Sequence, residues 1–305
     1  MTYAQGGLIQ ASDYNGFANA GTPNFNNIWS TGSGSSGYGQ TALSTVSAGQ
    51  VVSHTEWDGL INGIASAAAH QGTTITAITP PITGNIIAYL SALSTNLSAI
   101  NTGQLNAAAV GTSITNSGTR TTTWGANVSV PTVTSTVTVT FASANQARFF
   151  FNAGGVIKIQ CSKTGTSTPE DAAWTSLCTE IGTLGLPAVS AAQTIASASY
   201  TGLTQFGRTG SVPTILTHQG FYNLTTTPAI LFRQFSDAST YTSDFIQMSF
   251  SATGTVVTIS VAFTDSNATA PITGNLTVTA TAVQPETTNI TNTWGTPTVA
   301  VSAPA

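Results

Sequence analysis

Apolar residues recur at two different periods along the chain, and the change of period divides it near Gly111. Before that point the spacing is helical, interrupted by Gly/Ser loops. From about Thr121 it alternates every second residue, with Thr, Val and Phe dominating, which is strand territory. A first helix is expected from Ser12-Asp13, an N-cap pair, with Tyr14, Phe17, Phe25, Ile28 and Trp29 as its apolar residues. Gly21-Thr22-Pro23 should break it, and residues 32–39 (GSGSSGYG) read as a flexible loop.

Ser53-x-x-Glu56 has the spacing of a capping box, in which each side chain satisfies an otherwise unpaired backbone N–H. Trp57, Leu60, Ile61 and Ile64 follow at i, i+3, i+4 and i+7, and Gly72 is a natural stop. A third helix is predicted over 85–101, after Pro80-Pro81. Its Ile86, Leu90, Leu93, Leu97 and Ile100 are spaced 4, 3, 4, 3, the a/d rhythm of a coiled coil over two heptads. Two readings stay open here: a stripe packed on its own chain, or a short self-association bundle.

In the second half Val137, Val139 and Phe141 alternate with Thr in a half-buried strand. The apolar run 147–152 (ARFFFN) leads through Gly154-Gly155 into a strand over 156–163, with Ile157, Ile159 and Cys161 facing one way. One helix interrupts the strands, capped by Thr168, with Pro169 at N1, Glu170 and Asp171 in the first turn, and Trp174, Leu177, Cys178 and Ile181 as its stripe. Further strands are expected around 195–200, 217–224, 229–235, 244–252, 255–263 and 275–283. The fold class is therefore α+β: a helical N-terminal region with short coiled-coil-like helices (1–111), then an antiparallel β-sandwich or jelly-roll-like domain with one inserted helix (112–305).

Composition changes the picture. Charged residues make up 5% of the chain, against about 25% in an ordinary soluble protein, while Thr and Ser supply 88 of 305 residues. Six cations and a net charge of -4 do not make a phosphate-neutralising groove, so nucleic acid is excluded as a partner. No run approaches the ~20 apolar residues of a membrane span, and the start MTYAQGGLIQ shows no basic, then apolar, secretory signal. A surface of hydroxyls and amides can be buried against neighbours at little cost, whereas a buried ion costs several kcal/mol. That suits a permanent assembly.

Chemistry-bearing motifs are weak. Gly32-Ser33-Gly34-Ser35-Ser36-Gly37 matches a dinucleotide fingerprint formally, without the strand, helix or acid it needs. His54 and His70 sit sixteen apart and His218 is remote, which is no zinc spacing. Cys161 and Cys178 read as reduced core thiols. Glu170 and Asp171 are explained by capping, Asp237 and Asp265 by turns, and Asp244 opens a strand, so no carboxylate pair stands out for glycoside hydrolysis. No catalytic, cofactor-binding or metal-ligating residue is expected, and no cofactor.

Three stretches carry a resemblance: Trp57-Asp58-Gly59-Leu60-Ile61-Asn62 with His70-Gln71-Gly72; the segment 144–155 (ANQARFFFNAGG); and Trp174-Thr175 after the Lys163-Thr164-Gly165 turn. With Ala11-Ser12-Asp13-Tyr14-Asn15 and Gly37-Tyr38-Gly39-Gln40, they resemble virion structural proteins of tailed bacteriophages, especially of marine bacteria and cyanobacteria. The resemblance implies a virion component of the neck, tail or baseplate, assembled in the host cytoplasm, and carries over no catalytic residue. The expectation is a non-enzymatic building block, a homotrimeric fibre or appendage touching itself and other virion proteins. Its expected docking contacts are Trp57, Leu60, Ile61, Ile86, Leu90, Leu93, Leu97 and Ile100. Alternatives are a receptor-binding module for host surface glycan, using Tyr222, Tyr241 or Trp294, a capsid decoration protein, and a tail-associated hydrolase.

Overall fold

In the computed structural model, which describes residues 10–82, 88–165 and 167–305, the regular elements of the first third of the chain are helices joined by long loops, and antiparallel sheets dominate the rest. The class is α+β, as the change of period predicts. Helix α1 (Ala11–Asn15) starts earlier than Ser12 because Gln10 takes the cap, its N–H donating to Asp13 Oδ2 at 3.0 Å. A π-helical turn (Gly16–Ala20) continues it, and α2 (Phe25–Trp29) follows the cis Thr22–Pro23 bond, so the predicted break is real. Helix α3 (His54–Gln71) has the capping box of Ser53 and Glu56 and ends at Gly72, whose φ of 68° is left-handed. Inside α3, Gly63 lets α2 approach: a Cβ there would meet the Phe25 ring at 2.5 Å. Helix α4 (Leu90–Thr102) is shorter than expected; of its predicted first turn, 85–87 lie outside the described residues.

The strand half contains β1 (Val110–Arg120), β2 (Thr132–Thr140), α5 (Ala144–Asn152), β3 (Val156–Thr164) and α6 (Pro169–Ile181). Short strands β4 (Thr183–Leu186), β5 (Ala192–Ile195), β6 (Ala198–Thr201), β7 (Thr204–Phe206) and β8 (Ile215–Leu216) follow. The chain ends in β9 (Ala229–Phe235), β10 (Phe245–Ala252), β11 (Val256–Thr264), β12 (Asn275–Pro285) and β13 (Thr298–Val301). They form a five-stranded sheet, β1-β12-β3-β4-β7, a six-stranded sheet, β13-β2-β11-β10-β9-β8, and the β5-β6 hairpin. Helix α6 packs on the inner face of β3, and its Trp174 reaches Phe263 of β11, with ring centroids 6.3 Å apart. The helix thus bridges the two sheets.

Three expectations change. The strand expected around 195–200 is instead a hairpin, in which Ala196 and Ser197, both at positive φ, join β5 to β6. The strand half holds two helices, not one: the aromatic run of 147–152 lies in α5, capped by Ser143, whose hydroxyl accepts from Gln146 N–H at 3.2 Å. A continuous apolar run satisfies either period, and here its three phenylalanines are buried from a helix, Phe150 against Phe141 (5.2 Å) and Phe151 stacked on Phe221 (4.2 Å). That stacking also explains why 217–224 is no strand: Phe221–Asn223 forms a 3-10 turn that delivers Phe221 and Tyr222 to α5.

The boundary near 111 separates helix from strand but does not divide the core. One hydrophobic cluster runs from Tyr14 to Val299. The segment 144–155 contributes Ala147, Phe149, Phe150, Phe151 and Ala153 to it. Arg148 donates to the carbonyls of Thr31 and Gly34 (both 3.1 Å) and Ser36 (3.2 Å), and Asn152 Nδ2 donates to Gly37 O at 3.0 Å. The Gly/Ser loop expected to be flexible is therefore pinned along its backbone.

Candidate functional site

The stripe expected to dock a partner is turned inward. Trp57, Leu60, Ile61, Leu93, Leu97 and Ile100 are all buried within their own chain; Leu90 is half-buried, and Ile86 lies outside the described residues. Trp57 meets Tyr14, Phe17 and Tyr89 edge-on, at 5.5, 6.3 and 6.4 Å. A two-heptad stripe is one helix face, and three neighbouring segments of the same chain cover it. The described members of the stripe therefore pack on their own chain. Trp294, expected as an exposed sugar platform, is also buried, with its indole N–H donating to Gln284 Oε1 at 3.3 Å.

What the surface offers instead is hydroxyl. Strand β1 is an edge strand, exposed at nearly every position, and only its final residue, Arg120, is charged. Its side chains pair with β12 in a ladder: Thr115 with Thr281 (3.0 Å), Ser117 with Thr279 and Thr119 with Thr277 (both 2.9 Å). Beside that ladder a cleft of about 370 Å³ opens on the outer face of the five-stranded sheet, lined by Lys158, Gln160, Tyr200, Phe206, Thr279 and Thr281.

Comparison of the chain with family models, with curated proteins and with solved structures finds no match in any of the three. Function has to be read from the molecule's own chemistry.

The ionisable side chains are few, and nine of the nineteen Asp, Glu, Lys, Arg and His residues are buried. His70 and Glu286 pair at 2.8 Å, joining α3 to the segment after β12. Burial depresses His70 although Glu286 opposes this; burial raises Glu286, but the His70 bond and backbone donors from Thr288 and Asn289 outweigh it and hold it low. His54 and His218 lie elsewhere, His218 Nδ1 on Leu203 O at 3.0 Å, so no histidine cluster forms. Cys161 and Cys178 are free and buried, and burial pushes Cys178 up to about 12. They are inert as nucleophiles at neutral pH.

Around the N-terminus of α6 the acids converge. Asp171 binds the ammonium of Lys163 at 2.8 Å and accepts from Ser167 and Thr273. Burial alone would raise it, yet these partners hold it far below the ordinary carboxylate range. Its neighbour Glu170 points instead toward Asp244 and Asp265. One carboxylate oxygen from each lies within 4.8 Å of the others, and the residues are 0%, 1% and 1% exposed. Burial, with Asp265 beside it, raises Glu170, and the same causes push Asp244 up to about 6. Each acid has a local explanation in sequence, which is how the cluster escaped notice. Part of it was legible: in the β10–β11 hairpin Phe245 pairs with Thr264, so Asp244 and Asp265 flank its open end on adjacent strands. Glu170 joins only through the tertiary packing of α6.

Among the described residues no helix is long and apolar enough to cross a membrane.

Proposed function

We propose that the chain is a non-enzymatic structural subunit of a tailed-phage virion, a neck, tail or baseplate fibre or appendage, acting by assembly and attachment. The observation that carries this reading is strand β1: a long edge strand without lysine or proline along its exposed length, faced with hydroxyls that can be buried against a neighbour at little desolvation cost. Isolated proteins blunt such edges with charges, proline or bulges; β1 carries only a register shift between Val110 and Ser113, so its neutral hydroxyl face from Ser113 on is suited to a permanent contact. The inward stripe of α4 moves the expected self-contact to β1, chiefly to 110–115, since Asn116 and Gly118 lie against the backbone of β13 and the residues after it. The resemblance supports the same reading, because the segment 144–155 that carries it organises the fold rather than any catalytic arrangement.

Native mass spectrometry with cross-linking through cysteines placed at Ser113 tests it. A stable multimer cross-linked through β1, three copies being the expectation from sequence, supports the proposal. A monomer both in solution and in assembled particles overturns it.

The cleft beside the ladder favours a second reading, a module that attaches to host surface glycan, since amide, ammonium and hydroxyl groups there flank the Tyr200–Phe206 pair (5.0 Å). Glycan-array binding lost in Gln160→Ala would favour it; an empty array would dismiss it.

A further inference from the structure

We propose that Glu170, Asp244 and Asp265 form a buried binding site for a hard divalent cation of the calcium type, clasping the start of α6 to the open end of the β10–β11 hairpin. The inference is independent of the assembly reading. Three carboxylates meet in the interior with no ammonium or guanidinium among them; the two ion pairs of the described residues, His70–Glu286 and Lys163–Asp171, are made elsewhere. Burying one unpaired carboxylate is costly, and three side by side repel as well.

Neutral partners satisfy only part of each group. Asp265 spends both oxygens on backbone N–H groups, Oδ2 on Ala126 (2.7 Å) and Oδ1 on Asn267 (2.9 Å). Asp244 Oδ1 accepts from Ser266 N–H (2.8 Å) and Asn267 Nδ2 (2.7 Å). Glu170 Oε2 accepts from Thr269 Oγ1 and Ala270 N–H, both at 2.7 Å. That leaves Glu170 Oε1 and Asp244 Oδ2 fully buried and without a hydrogen-bond donor, each of the two acids having the Asp265 carboxyl as a close neighbour. The second-oxygen bonds hold Glu170 and Asp244 in place, as outer hydrogen bonds do for metal ligands, and leave their free oxygens to coordinate, while Asp265 would offer the remaining lone pair of an oxygen already bonded to a backbone N–H.

Asp171, one residue along the helix, is the internal contrast. There the chain supplies its inward lysine and fills both oxygens. At Glu170 it supplies neither. The donor set is all oxygen, with no imidazole or thiolate, which selects calcium or magnesium over zinc. A dication would leave one negative charge of three, facing the positive end of a 13-residue helix. Complete burial closes the cluster to a substrate but not to an ion trapped as the chain folds, so the role is a structural clasp.

The test uses the full chain, unfolded in denaturant with EDTA to release any trapped ion and refolded in CaCl2, in MgCl2 or in EDTA. Expected are about one cation retained per chain by elemental analysis, a midpoint of thermal unfolding raised by about 4 °C or more, and slower amide exchange at Ser266, Asn267 and Ala270. Glu170→Gln and Asp244→Asn should abolish retention. A stripped protein that unfolds and refolds with Ca2+ also supports the site. The proposal is overturned if stripped wild type stays folded, retains neither cation and melts at one temperature in Ca2+ and in EDTA. It falls equally if cation is retained without protection of 266–270, or is undiminished in both folded variants.

Discussion

The two halves of this molecule hold their irregular segments by opposite chemistry. The helical region uses amides. Asn26 donates to Leu43 O (2.9 Å) and accepts from Leu43 N–H (2.8 Å), a two-way bond of side chain to one peptide. Asn15 does the same with Val46, Asn96 with Thr76, and Gln40 with Thr291. A carboxamide carries both a donor and an acceptor, so each clamp is complete and neutral when buried. The strand half adds carboxylates to amides such as Asn152 for the same task, and a carboxylate only accepts. Its charge then needs an answer, which Lys163 gives Asp171 and which Glu170, Asp244 and Asp265 receive from no side chain. An almost ion-free chain can afford neutral clamps freely; where it uses charged ones, a specific partner is implied.

The largest effect that would sharpen this contrast is removal of the one inward ammonium. Lys163→Met leaves Asp171 buried and charged, and should cost about 3–5 kcal/mol in denaturant unfolding. The double variant with Asp171→Asn should recover most of it; equal losses in both would mean that charge is not what Lys163 answers. In the helical region the matching experiment puts a charge where an amide works. Asn26→Asp keeps the bond from Leu43 N–H but turns an oxygen on Leu43 O, for about 2–3 kcal/mol. A neutral result would show that amide and carboxylate are interchangeable there.

A smaller, pH-dependent effect belongs to the pair joining the halves. His70 and Glu286 both have folded pKa values below their ordinary ones, so the unfolded chain binds more protons as pH falls. Their contribution is complete above about pH 6.5 and is lost as pH drops, first through the histidine and then, below about 4.5, through the carboxylate. Subtracting the stability–pH curve of His70→Gln from that of wild type cancels the other groups. A difference that grows as pH falls, rather than shrinking, would reverse the sign and the argument.

How much of this was legible follows from the range of each interaction. Capping is local, so α3 and α6 could be read to their first residues. Alternation is local too, and gave β2, β3 and β9 through β12. The exposed Ser/Thr strand β1 has almost no apolar face to alternate, and it exists because β12 pairs with it. The 4-3-4-3 stripe of α4 was visible, but periodicity states only that a face is buried, never by whom. Glu170 illustrates the limit best: capping explains one role of its position and conceals that its carboxylate meets two acids flanking the distant β10–β11 hairpin.

The smallest expected effect concerns the ladder between β1 and β12, and it separates folding from assembly. Thr115, Ser117 and Thr119 are exposed, and their hydroxyl partners can turn to water when the bond is lost. Replacing any one by Ala should therefore change stability by no more than about 0.5 kcal/mol. Thr115→Lys should be equally mild for the isolated chain. In an assembled contact the same lysine must be desolvated against a neighbour that supplies no acid from this strand, so multimer formation should fail while the melting curve stays put. If Thr115→Lys instead unfolds the chain, the ladder belongs to the core and β1 is not the contact edge. If it neither unfolds the chain nor weakens the multimer, copies meet elsewhere, and the neutral surface serves solvent alone.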